Sequence, residues 1–130
     1  MAQKEIELIL VRQLASYLAM PIFIVDAGGN LLFYNEPAER LLGRRYEETG
    51  PMSVEEWAAI WEPTSDEEGQ PLPPESLPLF IALSQRLPAH RNMRIRSLDG
   101  IERRIAVTAF PLDGQGGRHL GAVTIFWELE

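Results

Sequence analysis

The clearest pattern lies in the last third of the chain. From Arg91 to Ser97 apolar and polar side chains alternate, Leu98-Asp99-Gly100 supplies a tight turn, and Ile101 to Leu112 alternates again. This predicts a β-hairpin. A glycine-rich connection, Asp113 to Gly117, leads to a third run of β-formers from Leu120 to Leu129. Strand side chains point alternately to the two faces, so parity sorts them. Met93 and Ile95 share one face of the first strand, with Arg94 and Arg96 opposite. On the second, Ile105, Val107 and Ala109 oppose Arg104, Ala106, Thr108 and Phe110. The third strand offers Ala122, Thr124 and Phe126 on one side and Val123, Ile125 and Trp127 on the other, and parity does not choose between them. Both faces are partly apolar, so the sheet needs something packed on each side.

Upstream, Glu5 to Met20 reads as a helix with two apolar stripes. One is Ile6, Leu10, Leu14, Tyr17 and Leu18; beside it run Leu8, Val11, Ala15 and Leu18. Two arrangements are open: one stripe on the sheet with the other on a second copy of the helix, or a helix wholly buried in its own monomer. Pro21 stops the helix, and Ile22 to Val25 form a strand that turns through Asp26-Ala27-Gly28-Gly29-Asn30 into Leu31 to Tyr34. Asn35 is a helix cap for Glu36 to Leu42, with Pro37 in the first turn and Gly43 at the end. Ser53-Val54-Glu55-Glu56 has capping-box spacing, and Trp57, Ile60 and Trp61 line one face of the helix it starts. A loop rich in proline, glycine and acids spans 62–74. A further helix from about Glu75 to Leu87 carries Leu79, Phe80, Leu83 and Leu87 inward before Pro88. These elements make one α+β domain with a five-stranded antiparallel sheet.

Composition narrows the function classes. The chain of 130 residues is 45% hydrophobic and 24% charged, an ordinary globular balance, with a net charge of −7. That sign argues against nucleic acid or an anionic membrane as partner. The arginines at 94, 96, 103 and 104 read as a solvated or ion-paired sheet face. With no cysteine, disulfides and thiolate chemistry are excluded. The apolar cluster Ile6 to Val11 is interrupted by Glu7 and flanked by Glu5 and Arg12, too short for a signal core or membrane span, so a cytoplasmic location is the expectation. No residues form a catalytic set: Ser53 and Ser65 lack activating neighbours, Asp26 and Asp99 are explained by turns, and Asp66 to Glu68 lack metal-ligand partners. An enzyme is therefore not expected. The competing class, a small isomerase or hydratase on a cone-shaped α+β scaffold, needs a polar residue deep in a pocket, and Thr124 and Tyr34 are the candidates.

The order of elements and several motifs resemble a PAS domain over essentially the whole chain. The matching residues run from Ile22 through Asp26-Ala27-Gly28-Gly29-Asn30 to Asn35, then Ala38 to Gly43, Glu68 to Pro73, and Pro78-Leu79 with Ala82-Leu83. They continue with Leu98-Asp99-Gly100, Phe110-Pro111-Leu112 and Leu120 to Val123. The chain is similar in particular to sensory modules ahead of bacterial histidine kinases. The resemblance implies a sheet in the order 2-1-5-4-3, with short helices over one face enclosing a pocket. It places an N-terminal helix, residues 1–20, on or near the other face of a PAS domain at 21–130. Pocket candidates on this basis are Phe23, Val25, Ile95, Ile105, Val107, Thr124 and Phe126 on the sheet, and Leu79, Phe80 and Leu83 above it. Candidates for a homodimer or partner interface are Ile6, Leu10, Leu14 and Leu18 on the helix, and Val123, Ile125 and Trp127 outside the sheet; the last three are equally a seat for the N-terminal helix or a second half of the monomer core.

The resemblance also bears on cofactors. Blue-light flavin relatives need a reactive cysteine and side-chain amides on the sheet, where this chain has Ile95, Ile105 and Phe126, so flavin is not expected. Haem relatives need an axial histidine, and His90 and His119 read as exposed loop residues, so haem is a lesser alternative. A small apolar ligand remains, or a pocket filled by its own side chains. The expected function is a sensory and interaction module in bacterial signal transduction, coupled to an output domain or partner protein. Where signalling relatives commonly end in an Asp-hydrophobic-Thr junction, this chain has Glu128-Leu129-Glu130.

Overall fold

The computed structural model describes residues 6–129; residues 1–5, including the expected helix start at Glu5, and Glu130 lie outside them. Six strands form one antiparallel sheet: β1 (Ile22–Asp26), β2 (Leu31–Tyr34), β3 (Thr64–Ser65), β4 (Ala89–Arg96), β5 (Glu102–Asp113) and β6 (His119–Glu128). Their spatial order is β2-β1-β6-β5-β4-β3. Without β3 this is the expected five-stranded order. The addition is a correction to the 62–74 segment, which is more than a loop. Its turn folds back on itself, Ser65 N–H bonding to the Gln70 carbonyl at 2.8 Å, and Thr64 and Ser65 pair with Arg94 and Met93 at the sheet edge. A strand of two residues has no period for a sequence pattern to register.

Among the described residues five α-helices accompany the sheet: α1 (Ile6–Tyr17), α2 (Glu36–Leu42), α3 (Tyr46–Thr49), α4 (Val54–Trp61) and α5 (Pro78–Gln85). The caps follow their local chemistry. Ser53 and Glu56 close a reciprocal capping box at α4. Gly43 ends α2 at φ +84°, and a Cβ there would stand 2.7 Å from the Leu98 backbone nitrogen, so only glycine lets α2 seat against the β4–β5 turn. The last helix is shorter than its apolar run. A 3-10 turn occupies Pro74–Ser76, and Arg86 adopts the left-handed conformation at φ +57°. Leu87 consequently points outward and is exposed, contrary to the inward placement that helical spacing implied.

Two apolar clusters lie on opposite faces of the sheet. The larger joins the sheet to α2, α4 and α5, with Phe23, Leu42, Trp57, Trp61, Leu79 and Phe126 among its buried members. The smaller sits beneath α1, where Ala15 meets Ile22, Ile24 and Val123, and Val11 packs beside them. The Val11/Ala15 stripe of α1 is thus the one laid on the sheet. Ile6, Leu10 and Leu14 face solvent, Leu14 at 56% exposure.

Polar contacts fasten α1 at both ends. At its C-terminus the Asn35 side chain donates to the carbonyls of Ala15 (2.9 Å) and Met20 (2.8 Å), and accepts from the N–H groups of Ile22 (3.0 Å) and Ala38 (3.2 Å). The α2 cap is therefore also the joint that holds α1 to β1. Near its start, the Glu7 carboxylate accepts from the Gln115 N–H at 3.1 Å and lies 3.7 Å from the Arg118 guanidinium. Its own backbone N–H, then that of Gln115, then the charge of Arg118 hold the Glu7 carboxyl below the usual carboxylate range. A depressed folded-state pKa stabilises the docked form above the unfolded value and loses that contribution as pH falls through the folded value. Acidification below the ordinary glutamate range is therefore expected to release the start of α1. Protection factors of the α1 amides, referred to the intrinsic rate at each pH, should fall, and Glu7→Gln should remove that part of the pH response.

Candidate functional site

The sheet face under α4 and α5 holds an apolar hollow of about 80 Å³. Cross-strand pairing builds its floor. Phe23 of β1 stands opposite Thr124 of β6, and Phe126 of β6 opposite Val107 of β5. Ile105, with Met93 and Ile95 from β4, completes that surface. The cover comes from Leu42, from Trp57 and Trp61 one turn apart on α4, and from Pro63, Leu77, Pro78 and Leu79.

Seven expected pocket residues surround the hollow: Phe23, Leu79, Ile95, Ile105, Val107, Thr124 and Phe126. Three do not line it. Val25 lies two residues farther along β1 and is wholly buried in the surrounding core. Leu83 stands one helical turn beyond Leu79 and packs into the same core. Phe80 stacks on the outside of Trp57, with ring centroids 6.4 Å apart, and lies beneath Gly29. Trp57 and Trp61 were the main residues missed. Their shared helical face was legible, but nothing local says that this face roofs the sheet.

The two tryptophans give the hollow its character. Phe23 meets Trp57 edge-on at 5.5 Å and Trp61 at 6.2 Å. Both indole N–H groups are committed elsewhere, Trp57 to the Gly29 carbonyl and Trp61 to the Leu42 carbonyl, each at 3.0 Å. The rings therefore present only apolar surface. Thr124 is 7% exposed, and its hydroxyl has no hydrogen-bond partner. Tyr34, the other candidate deep polar group, is turned away: its hydroxyl donates to the Arg44 carbonyl at 2.8 Å, and burial raises its pKa.

Charged groups lie outside the hollow. On the arginine face Arg104 bonds Asp66 at 2.6 Å and Arg94 lies 3.7 Å from the same acid, while Arg96 pairs with Glu62. The hydrogen bond from Arg104 holds the Asp66 carboxyl below its ordinary range. The histidines are strand residues and not loop residues. His90 pairs with Thr108, its Nδ1 2.9 Å from that hydroxyl, and His119 opens β6 beside Asp113. Neither lines the hollow. Among the described residues no group of three or more His, Asp or Glu side chains converges to hold a metal, and no helix is long and apolar enough to cross a membrane.

The expected interface residues separate into two sets. Ile6, Leu10, Leu14 and Leu18 are exposed, as is Trp127 at 40%. Val123, by contrast, is 2% exposed beneath this chain's own α1, with Ile125 partly buried beside it. Docking of the Val11/Ala15 stripe takes Val123 out of any free surface.

A curved antiparallel sheet with short helices closed over one face and a terminal helix on the other defines an α+β sheet-and-cover architecture around an apolar centre. The family model described as PAS domain matches residues 10–79, more than half of the chain, and the chain belongs to that family. Among solved structures it is similar to the PAS domain from Bordetella pertussis BvgS, at 15% identity and a TM-score of 0.69, covering 97% of this chain and 88% of that one. The PAS domain of nitrogen regulation protein NR(II) from Vibrio parahaemolyticus gives 16% identity and a TM-score of 0.64, covering 92% and 98%. A Rhodobacter sphaeroides LOV protein gives 13% and 0.73, covering 97% and 69%. No curated protein matches the sequence.

Proposed function

We propose that the chain is a sensory switching module of bacterial signal transduction, acting by changes in packing and without catalysis of its own. One observation carries this reading. Alternate residues of β6 touch the two functional regions: Thr124 and Phe126 face the hollow, while Val123 and Ile125 belong to the cluster under α1. A small molecule or partner that alters the packing of the hollow shifts the same strand on which α1 rests, and interiors packed to crystal-like density transmit such shifts. The signal then leaves through α1 or the end of β6 to an output domain or partner protein. The similarity to PAS domains named for BvgS and NR(II) supports this role.

Neither flavin nor haem is the occupant in this reading. The lining presents an apolar surface, with no amide where Ile95, Ile105 and Phe126 stand and no histidine. A volume near 80 Å³ is also well below the roughly 300–1,000 Å³ of pockets for drug-sized ligands. Partners are protein, consistent with the net charge of −7, and the module works in the cytoplasm as a homodimer. Its pairing surface is the exposed stripe Ile6, Leu10, Leu14 and Leu18. Leu14→Glu, at a mostly exposed side chain outside the cluster under α1, is expected to shift the sedimenting species from dimer to monomer. An unchanged sedimentation profile would count against pairing through α1.

A further inference from the structure

We infer that the face of the sheet that carries α1 holds a second binding site, a groove between α1 and β2 that takes a carboxylate on an unbranched apolar chain, with the Arg12 guanidinium as its anchor. The inference goes beyond the proposed sensing role and does not depend on the hollow, which lies on the opposite face of the sheet.

The groove follows from the way α1 rests. Its Val11/Ala15 stripe lies on the sheet. Beside that stripe Leu8, Ile9 and Arg12 face Leu32 and Phe33 of β2, the edge strand, and Tyr46 of α3 across a groove of about 410 Å³. That volume falls within the roughly 300–1,000 Å³ of small-molecule sites. All six of these residues keep accessible surface, Ile9 being exposed and the others only partly buried.

Arg12 supplies the chemistry. Its guanidinium carbon stands 4.6 Å from the centroid of the Phe33 ring and 5.6 Å from that of Tyr46. Stacking on a ring uses the face of the cation and leaves its five N–H donors, which lie along the edges, free to bond. Among the described residues the Arg12 guanidinium has neither an ion pair nor a hydrogen bond. The polar groups of Tyr46 are spent: its N–H donates to the Glu39 carboxylate at 2.9 Å and its hydroxyl to the Leu32 carbonyl. The groove thus offers one uncommitted cation against an apolar wall.

That combination selects the ligand. A guanidinium fork meets a planar carboxylate through two parallel hydrogen bonds. One cation neutralises a monoanion, whereas a dianionic phosphate would keep an uncompensated charge beside apolar side chains. The net charge of −7 disfavours anions in general, so the carboxylate needs an apolar chain, laid along Leu8, Ile9 and Leu32, to contribute affinity. The occupant touches α1 on one side and β2 with α3 on the other. It therefore clamps α1 to the sheet, because a conformer with α1 lifted lacks half of the site.

Octanoate, octanamide and acetate test the inference on the full chain by amide chemical-shift titration at Ile9, Phe33 and Tyr46, with Val107 and Phe126 reporting the hollow. Octanoate is expected to shift the first three amides and to raise the protection factors of α1. Octanamide has the chain without the charge and acetate the charge without the chain, and each is expected to bind at least about tenfold more weakly. Arg12→Gln is expected to weaken octanoate about tenfold and to leave octanamide within about twofold of wild type, while Arg12→Lys, which keeps the charge without the fork, falls between. Equal affinity for octanoate and octanamide, or an unchanged octanoate affinity in Arg12→Gln, would remove Arg12 as the anchor. Acetate binding as tightly as octanoate would remove the apolar chain. Octanoate shifts at Val107 and Phe126 in place of the groove amides would move the acid to the hollow. Groove amides that ignore octanoate also sink the inference, and if they answer to dilution of the protein instead, the groove belongs to a second copy of the chain. Each of these results overturns the groove site and leaves the proposed sensing role standing.

Discussion

Asn35→Ala is expected to lower the unfolding free energy by about 3–5 kcal/mol and to free α1 from the sheet before the remainder unfolds. The wild-type side chain is 1% exposed and meets four backbone groups: two N–H donors, on Ile22 and Ala38, and two carbonyls, on Ala15 and Met20. Alanine leaves all four without that partner. Each buried polar group so stranded costs about 1–3 kcal/mol, and water entering beside the exposed end of α1 offsets part of the sum. Asn35→Asp is a sharper probe. It preserves the shape and both accepted bonds, but replaces the amide donor by an oxygen that faces two carbonyls. Urea denaturation measures the global loss and hydrogen exchange the local one. A loss below about 1 kcal/mol with α1 still protected would show that the helix is held by its apolar stripe alone. Because the same residue caps α2 and anchors β1, α1 is not an appendage. It shares a hydrogen-bonding centre with the strand that carries Phe23 into the hollow.

Gly121→Ala is expected to have the largest effect of the Gly→Ala changes, about 4 kcal/mol or more, seen as a fall in Tm of roughly 15 °C or as failure to fold. Gly121 has φ +151°, and a Cβ there would stand 2.0 Å from the Val25 carbonyl oxygen and 3.0 Å from the Asp26 Cα. These are backbone atoms of β1, which is held by β2 on its other side, so no rotamer relieves the clash. β1 would have to leave β6, breaking the contact between the two halves of the sheet. Gly116→Ala is the control. Its φ is +72° with open space around it, so it pays only the left-handed conformational cost, about 1–2 kcal/mol. Equal losses in the two variants would mean that conformation, and not the approach of two backbones, is what Gly121 supplies.

Much of this architecture was legible because its causes are local. Alternation from Arg91 to Leu112, the capping box at Ser53, the Asn35 cap with Gly43, and the two stripes of the first helix each depend on residues a few positions apart. What escaped detection had no local period or no local cause. The two residues of β3 are too few to alternate. Leu87 continued a helical spacing that the left-handed Arg86 cuts off. His90 and His119 belong to strands because of partners on β5 and not because of their own neighbours. Seven of the pocket residues were reachable through family resemblance and parity, whereas the roof of Trp57 and Trp61 required knowing where α4 comes to rest.

The sequence alone determined that this is an α+β domain whose final three strands are antiparallel, and that its first helix has more apolar surface than one contact uses. Tertiary structure decided which face of β6 looks inward, which stripe of α1 is covered, and that α4 roofs the hollow. The physical reason is one of range. Propensity, capping and side-chain alternation act over a few residues, but the pairing of Phe23 with Thr124 and the seating of α4 above them join segments remote in the chain.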